Sequence, residues 1–315
     1  MIIGQVHIDR ALTNFARGYK PEGFIANEIW PVIGVPNETD LYDVWDQADI
    51  FRPNDALRGK GQLANRIRVR VSSDNYRVRN YELAAEVFAE DRNNADPSRR
   101  AMLEQGRVVV ALDKIMLGWE DRMATIFSTT GNFGSNTAVV SVWTGAGSDP
   151  VGDINTAIDN VWYASGYRPN HMVIGLKPYQ ALRRHISVID KTVNPNVTGG
   201  GNYPSQADIA KLFELDKILV SRTIKNQAQE DLAQDLTPVF SNHCALYYRT
   251  AGPTTSKPNH GAIFDWSNAP SPRLSAVRHA PDTQRKSQVV TVGMYQDEKV
   301  VSAAVGFLLT SATTN

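Results

Sequence analysis

The stretch ASGYRPNHMVIGLKPYQALRRH, Ala164 to His185, sets a Tyr-Arg pair, two histidines, a lysine and two further arginines around one short apolar run. Residues of these types could hold a phosphate or exchange protons in acid-base catalysis. A phosphate site wants donors at a helix N-terminus, and only Lys177 meets that requirement. His171 opens an apolar strand, the place of a core or edge histidine. Arg183, Arg184 and His185 fall at the end of a short helix, where cations offset the macrodipole. The six histidines (His7, His171, His185, His243, His260, His279) include no pair at ligand spacing, and the one cysteine, Cys244, has no metal partner nearby in sequence. Gly199-Gly200-Gly201 neither follows a strand nor opens a helix. Gly145-Ala146-Gly147 lacks a third glycine at the right offset, and no G-x-S-x-G elbow occurs. The chemistry therefore points away from an enzyme, and no catalytic, cofactor-binding or metal-ligating residue is assigned.

The elements around that stretch form an α/β unit from Asp149 to about Leu246. Asp149-Pro150 opens a helix with Ile154, Ala157, Ile158, Val161 and Trp162 on one face, and Gly166 is placed to end it. His171 to Leu176 reads as a buried strand, Lys177-Pro178 starts a helix to about Ile186, and Ser205 to Phe213 makes another. Lys217 to Val220 and Cys244 to Tyr248 read as strands. Gln288 to Leu309 holds two β-runs divided at Gln296-Asp297-Glu298, with partners elsewhere in the fold.

Before this unit, Asp96-Pro97 supplies a cap and a first-turn proline. Apolar residues then recur at Met102, Val109, Leu112, Met116, Trp119, Met123 and Ile126, the stripe of one helix. Unbroken to Phe127, it spans about 45 Å at 1.5 Å per residue. The stripe of Val109, Leu112, Met116, Trp119 and Met123 should face a β-layer built partly from residues 288 to 309.

The first 50 residues carry Phe24, Ile25, Ile29 and Trp30 between prolines and cannot form a long helix. Such a segment needs another surface, on its own subunit or a neighbour's. Phe51 to Asn65, rich in Pro, Gly and Asn, reads as a loop tip. From Arg66 the run alternates, with Ile67, Val69 and Val71 on one face and Arg66, Arg68 and Arg70 on the other. Reading Ser72 to Asn75 as a turn sets Arg70 opposite Arg77 and Arg68 opposite Arg79. Like charges so opposed are destabilising, so the arm would need an external anion. DNA phosphates are one candidate; the acidic run Glu82, Glu86, Glu90 and Asp91 of an adjacent subunit is the preferred one.

The chain has 315 residues, enough for two structural units, and 33 basic against 33 acidic residues, so no global attraction to nucleic acid or membrane is encoded. No apolar run approaches the roughly 18 residues of a membrane-spanning helix. The start MIIGQVHIDR lacks the features of a signal peptide, and with a single cysteine the expectation is a protein made and kept in a reducing cytoplasm.

The run LTNFARGYKPEGFIANEIWPVIGV and the arginine-rich segment after it resemble the N-terminal arm and extended loop of major capsid proteins of tailed bacteriophages. Asp96 to Phe127 resembles their spine helix, and Ala164 to His185 the opening of their axial domain. The resemblance implies an α+β chain of the Hong Kong 97-type capsid fold, divided as an arm (1–45), an extended β-hairpin loop (46–88), a peripheral domain with the spine helix (89–148), an axial α/β domain (149–260) and a return to the peripheral domain (261–315). It implies a structural subunit that assembles into hexamers and pentamers of an icosahedral shell around double-stranded DNA. Its partners would be copies of itself, a portal, scaffolding and decoration proteins, and DNA bound without sequence specificity, with no membrane and no cofactor. It would reside in the virion after assembly in the host cytoplasm. Expected inter-subunit contacts are Phe24, Trp30, Arg66, Arg68, Arg70, Arg77, Arg79, Glu82, Glu86 and Glu90. An encapsulin-like nanocompartment shell and a cytosolic α/β enzyme remain the alternatives.

Overall fold

In the computed structural model the long apolar stripe forms a single helix, Pro97–Ser128, of 32 residues. The structure describes residues 7–8, 10–19, 21–45, 51, 53, 56–61, 63–64, 66, 71–145, 147–192, 203–250, 257–269 and 274–313. The helix opens on Pro97 at its first turn, although Asp96 makes no capping bond. Its buried face is Val108, Leu112, Ile115, Met116, Trp119, Met123 and Phe127, so the stripe starts at Val108 rather than Val109, which is half-buried.

That face lies against a six-stranded sheet ordered His7–Ile8, Ser275–Arg278, Ser287–Val300, Gly261–Trp266, Val32–Val35, with Arg79–Phe88 also paired to Ser287–Val300. Val290, Val292 and Met294 meet Trp119 and Met123 in one core. Arg122 fixes the packing from the side: its guanidinium lies 3.6 Å from the centroid of Tyr81 and 2.9 Å from the Glu298 carboxyl. Residues 296 to 298 do not divide two strands as the sequence suggested. They sit inside the 14-residue strand Ser287–Val300, because Gly261–Trp266 supplies ladder partners for Gln296, Asp297 and Glu298.

A second sheet, ordered Ser135–Ala138, Gly306–Thr310, Cys244–Tyr247, His171–Gly175, Lys217–Ser221, is buried on both faces in all but its exposed edge strand Ser135–Ala138. Alternation divides its residues. Val173, Leu219, Ala245 and Leu308 face the long-helix core, whereas Met172, Ile174, Ile218, Leu246 and Phe307 face the helices Pro150–Ser165, Leu176–Arg184, Ile186–Thr192 and Gln206–Leu212. This double burial explains the unbroken apolar strands. The helix termini follow the sequence signals. Asp149 accepts from the Gly152 amide at 3.0 Å, Gly166 ends its helix at φ +71°, and Ser205 and Asp208 form a capping box. Trp162 departs from the expected face and is half exposed.

The arm packs on its own chain. Phe24 meets Trp119 with centroids 5.4 Å apart, and Trp30, fully buried, lies 5.5 Å from Phe127. The short helix Ala26–Ile29 between them is clamped at both ends. Buried Glu120, from the middle of the long helix, accepts from the amides of Ile25 (3.1 Å) and Ala26 (2.9 Å) and from the Ser221 hydroxyl (3.0 Å). At the other end the Tyr247 hydroxyl donates to the Ile29 carbonyl at 3.0 Å and the Arg249 guanidinium to the Glu28 carbonyl at 2.7 Å. An acceptor at the N-terminus and a cation at the C-terminus match the helix dipole. One carboxyl group thereby joins the arm, the long helix and the second sheet.

The chain crosses between the sheets at His260, whose carbonyl accepts from Val301 (2.9 Å) and Ser302 (3.2 Å). Its ring is stacked on Phe133 at 4.8 Å, with Trp30, Phe127 and Tyr247 each 5.6 Å away, and Nε2–H donates to the Asn132 carbonyl. Burial among these rings holds the imidazole down to about 4.

Three stability measurements follow. Trp119→Ala should cost about 3–5 kcal/mol in chemical denaturation, and the packing described is wrong if it melts like the parent. Glu120→Ala, which strands two amides and a hydroxyl, should cost at least about 3 kcal/mol, with Glu120→Gln milder because one acceptor oxygen remains. For His260, the unfolded chain takes up a proton near 6.5 and the folded chain only near 4. The unfolded state thus binds more protons between those values, and stability should fall by about 3 kcal/mol as pH drops through that window. His260→Phe should flatten the fall in urea midpoints between pH 7 and 4, leaving the part due to His171, which burial also holds down to about 4, and to His243, which burial also lowers. An unchanged slope would remove His260 from the account.

Candidate functional site

The stretch singled out for its chemistry turns out to be structural. His171 is buried, with Nδ1 against the Asn170 side chain at 3.0 Å. His185 contacts Ser148 Oγ through Nε2 at 3.2 Å, which invites a nucleophile-base reading. The network assigns the opposite polarity. Nδ1 accepts from the Ser187 amide at 3.3 Å, so Nε2 carries the proton and donates it to Ser148, whose own hydroxyl donates to the Gly145 carbonyl at 2.8 Å. An imidazole that donates to the serine cannot take its proton. Cys244 is fully buried, and burial pushes its thiol far up. Among the described residues no three His, Cys, Asp or Glu converge as metal ligands.

Among the described residues, exposed apolar groups cluster in sequence near one strand pair. Strands Thr39–Trp45 and Val71–Arg77 pair antiparallel, Thr39 with Arg77 through to Trp45 with Val71. Ser72 to Asn75 is therefore mid-strand, not a turn, because its partner comes from residues 41–44 rather than from residues 76 onward. The predicted oppositions of Arg70 with Arg77 and Arg68 with Arg79 fall with it: Arg77 pairs with Thr39 and Arg79 with Gln296. Arg68 and Arg70 themselves lie outside the described residues, with Ile67 and Val69.

The hairpin is rooted in the six-stranded sheet. Tyr76 stacks on Phe264 at 4.7 Å and 14°, and Tyr42 lies 5.2 Å from the same ring. The Tyr42 hydroxyl donates to Asp74 at 3.0 Å; burial and this bond push the Tyr42 phenol up. Asp297 accepts from the Arg77 amide at 3.0 Å, tying the second strand to the sheet. Beyond the root, Leu57 and Leu63 are 84% and 89% exposed. Beneath the hairpin runs a groove of about 380 Å³ lined by Ile33, Val35, Leu41, Tyr42, Tyr76 and Phe264. Two exposed leucines and an apolar groove on one chain are surfaces of matching chemistry.

The expected contact residues divide into two sets. Phe24 and Trp30 are corrected as neighbour contacts, since the chain's own core buries both. Arg66, Arg77, Arg79, Glu82 and Glu90 are exposed. Glu86 is half-buried and accepts from the Ser287 hydroxyl. Asp91 lies 3.8 Å from Arg107. Sequence reading passed over Leu57 and Leu63; the available signal was two leucines in a Pro- and Gly-rich loop with no periodic apolar partners.

No family model matches the chain. It is 26% identical over 313 residues to the major capsid protein of Pseudomonas phage JBD67, covering 97% of each, and 29% identical over 225 residues to that of Burkholderia phage BcepMu, covering 69% of each. Among solved structures it resembles a phage-related protein of Bordetella bronchiseptica, with TM-score 0.73, 18% identity and 98% of both chains covered. It also shares the fold of the capsid protein of cyanophage P-SCSP1u, with TM-score 0.56 and 10% identity, covering 93% of this chain and 89% of that one.

Proposed function

We propose that this chain is the major capsid protein of a phage, a structural subunit and not an enzyme. The observation that carries the reading is similarity along the whole chain, 97% of it, to a phage major capsid protein. The mixed α+β fold shared with a phage capsid subunit agrees with it. In finer detail we propose the Hong Kong 97-type architecture: arm 1–45, extended loop 46–88, peripheral domain 89–148 with the long helix as its spine, axial domain 149–260, and return 261–315. Copies would form hexamers and pentamers of an icosahedral shell around double-stranded DNA, with portal, scaffolding and decoration proteins as partners. Assembly would take place in the host cytoplasm.

The loop and the groove supply the contact. The tip with Leu57 and Leu63 of one copy would lie on the groove under the hairpin of the next, a head-to-tail contact that closes rings. Each leucine so buried contributes about 1.5–3 kcal/mol. Electrostatics would set the register, with Arg66, Arg68 and Arg70, aided by Arg77 and Arg79, facing Glu82, Glu86, Glu90 and Asp91 of a neighbour. The support is the exposure of Arg66, Arg77, Arg79, Glu82, Glu90 and Asp91, in place of cross-strand repulsion.

Leu57→Ser with Leu63→Ser should leave the melting curve of the subunit unchanged and abolish closed shells in electron micrographs; shells at parental yield would refute the contact. Reversing Arg66, Arg68 and Arg70 to glutamate should give folded subunits that fail to close, partly rescued by reversing the acidic run to lysine. If that triple variant assembles normally and only fails to retain DNA, the arginines meet phosphates instead. The nucleic acid content of purified shells separates a phage head from a nanocompartment around a cargo enzyme.

A further inference from the structure

On the opposite side of the second sheet from the long helix, Trp143, Thr144, Gly145 and Gly147, the helix Leu176–Arg184 and Thr313 enclose an open cavity of about 770 Å³. Lys177, Gln180 and Arg184 line it from one helix face, at spacings of three and four residues that stack them over two turns. No carboxylate lines the cavity, and neither Lys177 nor Arg184 has an acidic partner among the described residues. Two acids close in sequence to Gly147 make bonds of their own: Asp149 accepts from the Gly152 amide at 3.0 Å and Asp153 from the Trp143 indole N–H at 2.9 Å. The facing wall carries Gly145 and Gly147. Gly147 sits at φ +85°, and a Cβ there would meet nothing within 4 Å. The left-handed backbone thus favours glycine there, and Gly145 and Gly147 keep side chains off their part of the wall beside Trp143 and Thr144. His185 and Ser148 hold each other at 3.2 Å and form a fixed polar edge.

We propose that this cavity binds a small anion with charges spread along a chain, of the oligophosphate class. Two cations about 10 Å apart along the helix axis, at 1.5 Å per residue over seven residues, suit a chain of phosphates better than one phosphate. The volume falls in the range of small-molecule sites, roughly 300–1,000 Å³. A residue stretch whose charges found no role in catalysis thereby acquires one in binding. The site does not rest on the shell reading: a chain that forms no shells would still carry the cavity.

The test is titration calorimetry of the full chain with inorganic tripolyphosphate at low salt. The expected result is saturable binding at one site per chain. Lys177→Gln and Arg184→Gln should each weaken it roughly tenfold or more, as loss of a charged hydrogen-bond donor does. Arg183→Gln should bind like the parent, because the Arg183 Nε donates to the Pro204 carbonyl at 2.8 Å, outside the cavity. Melting curves of the variants check that each is folded. A parallel arm with a nucleoside triphosphate separates sources within the class: equal affinity marks the phosphate chain as the whole ligand, and tighter binding adds contacts from the nucleoside. Absence of saturable binding, or parental affinity in folded Lys177→Gln and Arg184→Gln, overturns the proposal. So does binding confined to duplex DNA, which would make these cations backbone contacts.

Discussion

The structure depends on one buried carboxyl group. Glu120 sits in the middle of the long helix with its apolar face around it, and its two oxygens gather an amide pair from the arm and a hydroxyl from the second sheet. A polar group this deep is tolerable only when its bonds are made. The arm is therefore not an appendage laid on a finished body. Its residues complete the environment of Glu120, and Glu120 in turn ends the short helix that delivers Trp30 to the core. Tyr247 and Arg249 hold the other end of that helix, so arm, long helix and second sheet are satisfied together or not at all.

The same economy explains how two sheets share one chain. The strand Ser287–Val300 belongs to the first sheet and Gly306–Thr310 to the second, with His260 and its ring cluster at the crossing. Space there is tight. A Cβ at Gly306 would fall 2.5 Å from the His260 ring and one at Gly134 2.8 Å from the Ala304 backbone. A neutral, buried imidazole suits such a place because it packs like an aromatic ring while its N–H satisfies the Asn132 carbonyl.

In the proposed shell, stability and assembly fall to different residues. Large aromatic groups of the arm, which look like docking surface in a proline-broken segment, are spent inside the subunit. The groups we propose for contact with neighbours are exposed ones: Leu57 and Leu63, a groove at the hairpin root and charges along exposed strands. A subunit built in this way can fold before it meets a copy of itself, since the core of the described residues closes within one chain.

Much of this was legible in the residues alone, wherever the signal is local. The long helix, the capped helices at Asp149 and Ser205, the glycine stop at Gly166 and the unbroken apolar strands all follow from periodicity and capping over a few residues, and a short-range pattern survives whatever the rest of the chain does. Pairing partners are not local. Ser72 to Asn75 has turn composition, yet it forms a strand because residues 41–44 lie beside it; Gln296 to Glu298 look like a break, yet Gly261–Trp266 carries the ladder through them. Whether Phe24 and Trp30 face the subunit or a neighbour, whether Glu120 is exposed or central, and whether Lys177 and Arg184 merely flank a helix or line a cavity were likewise decided by contacts distant in sequence. For Glu120 the partners lie 94 to 101 residues away, beyond the reach of any local pattern.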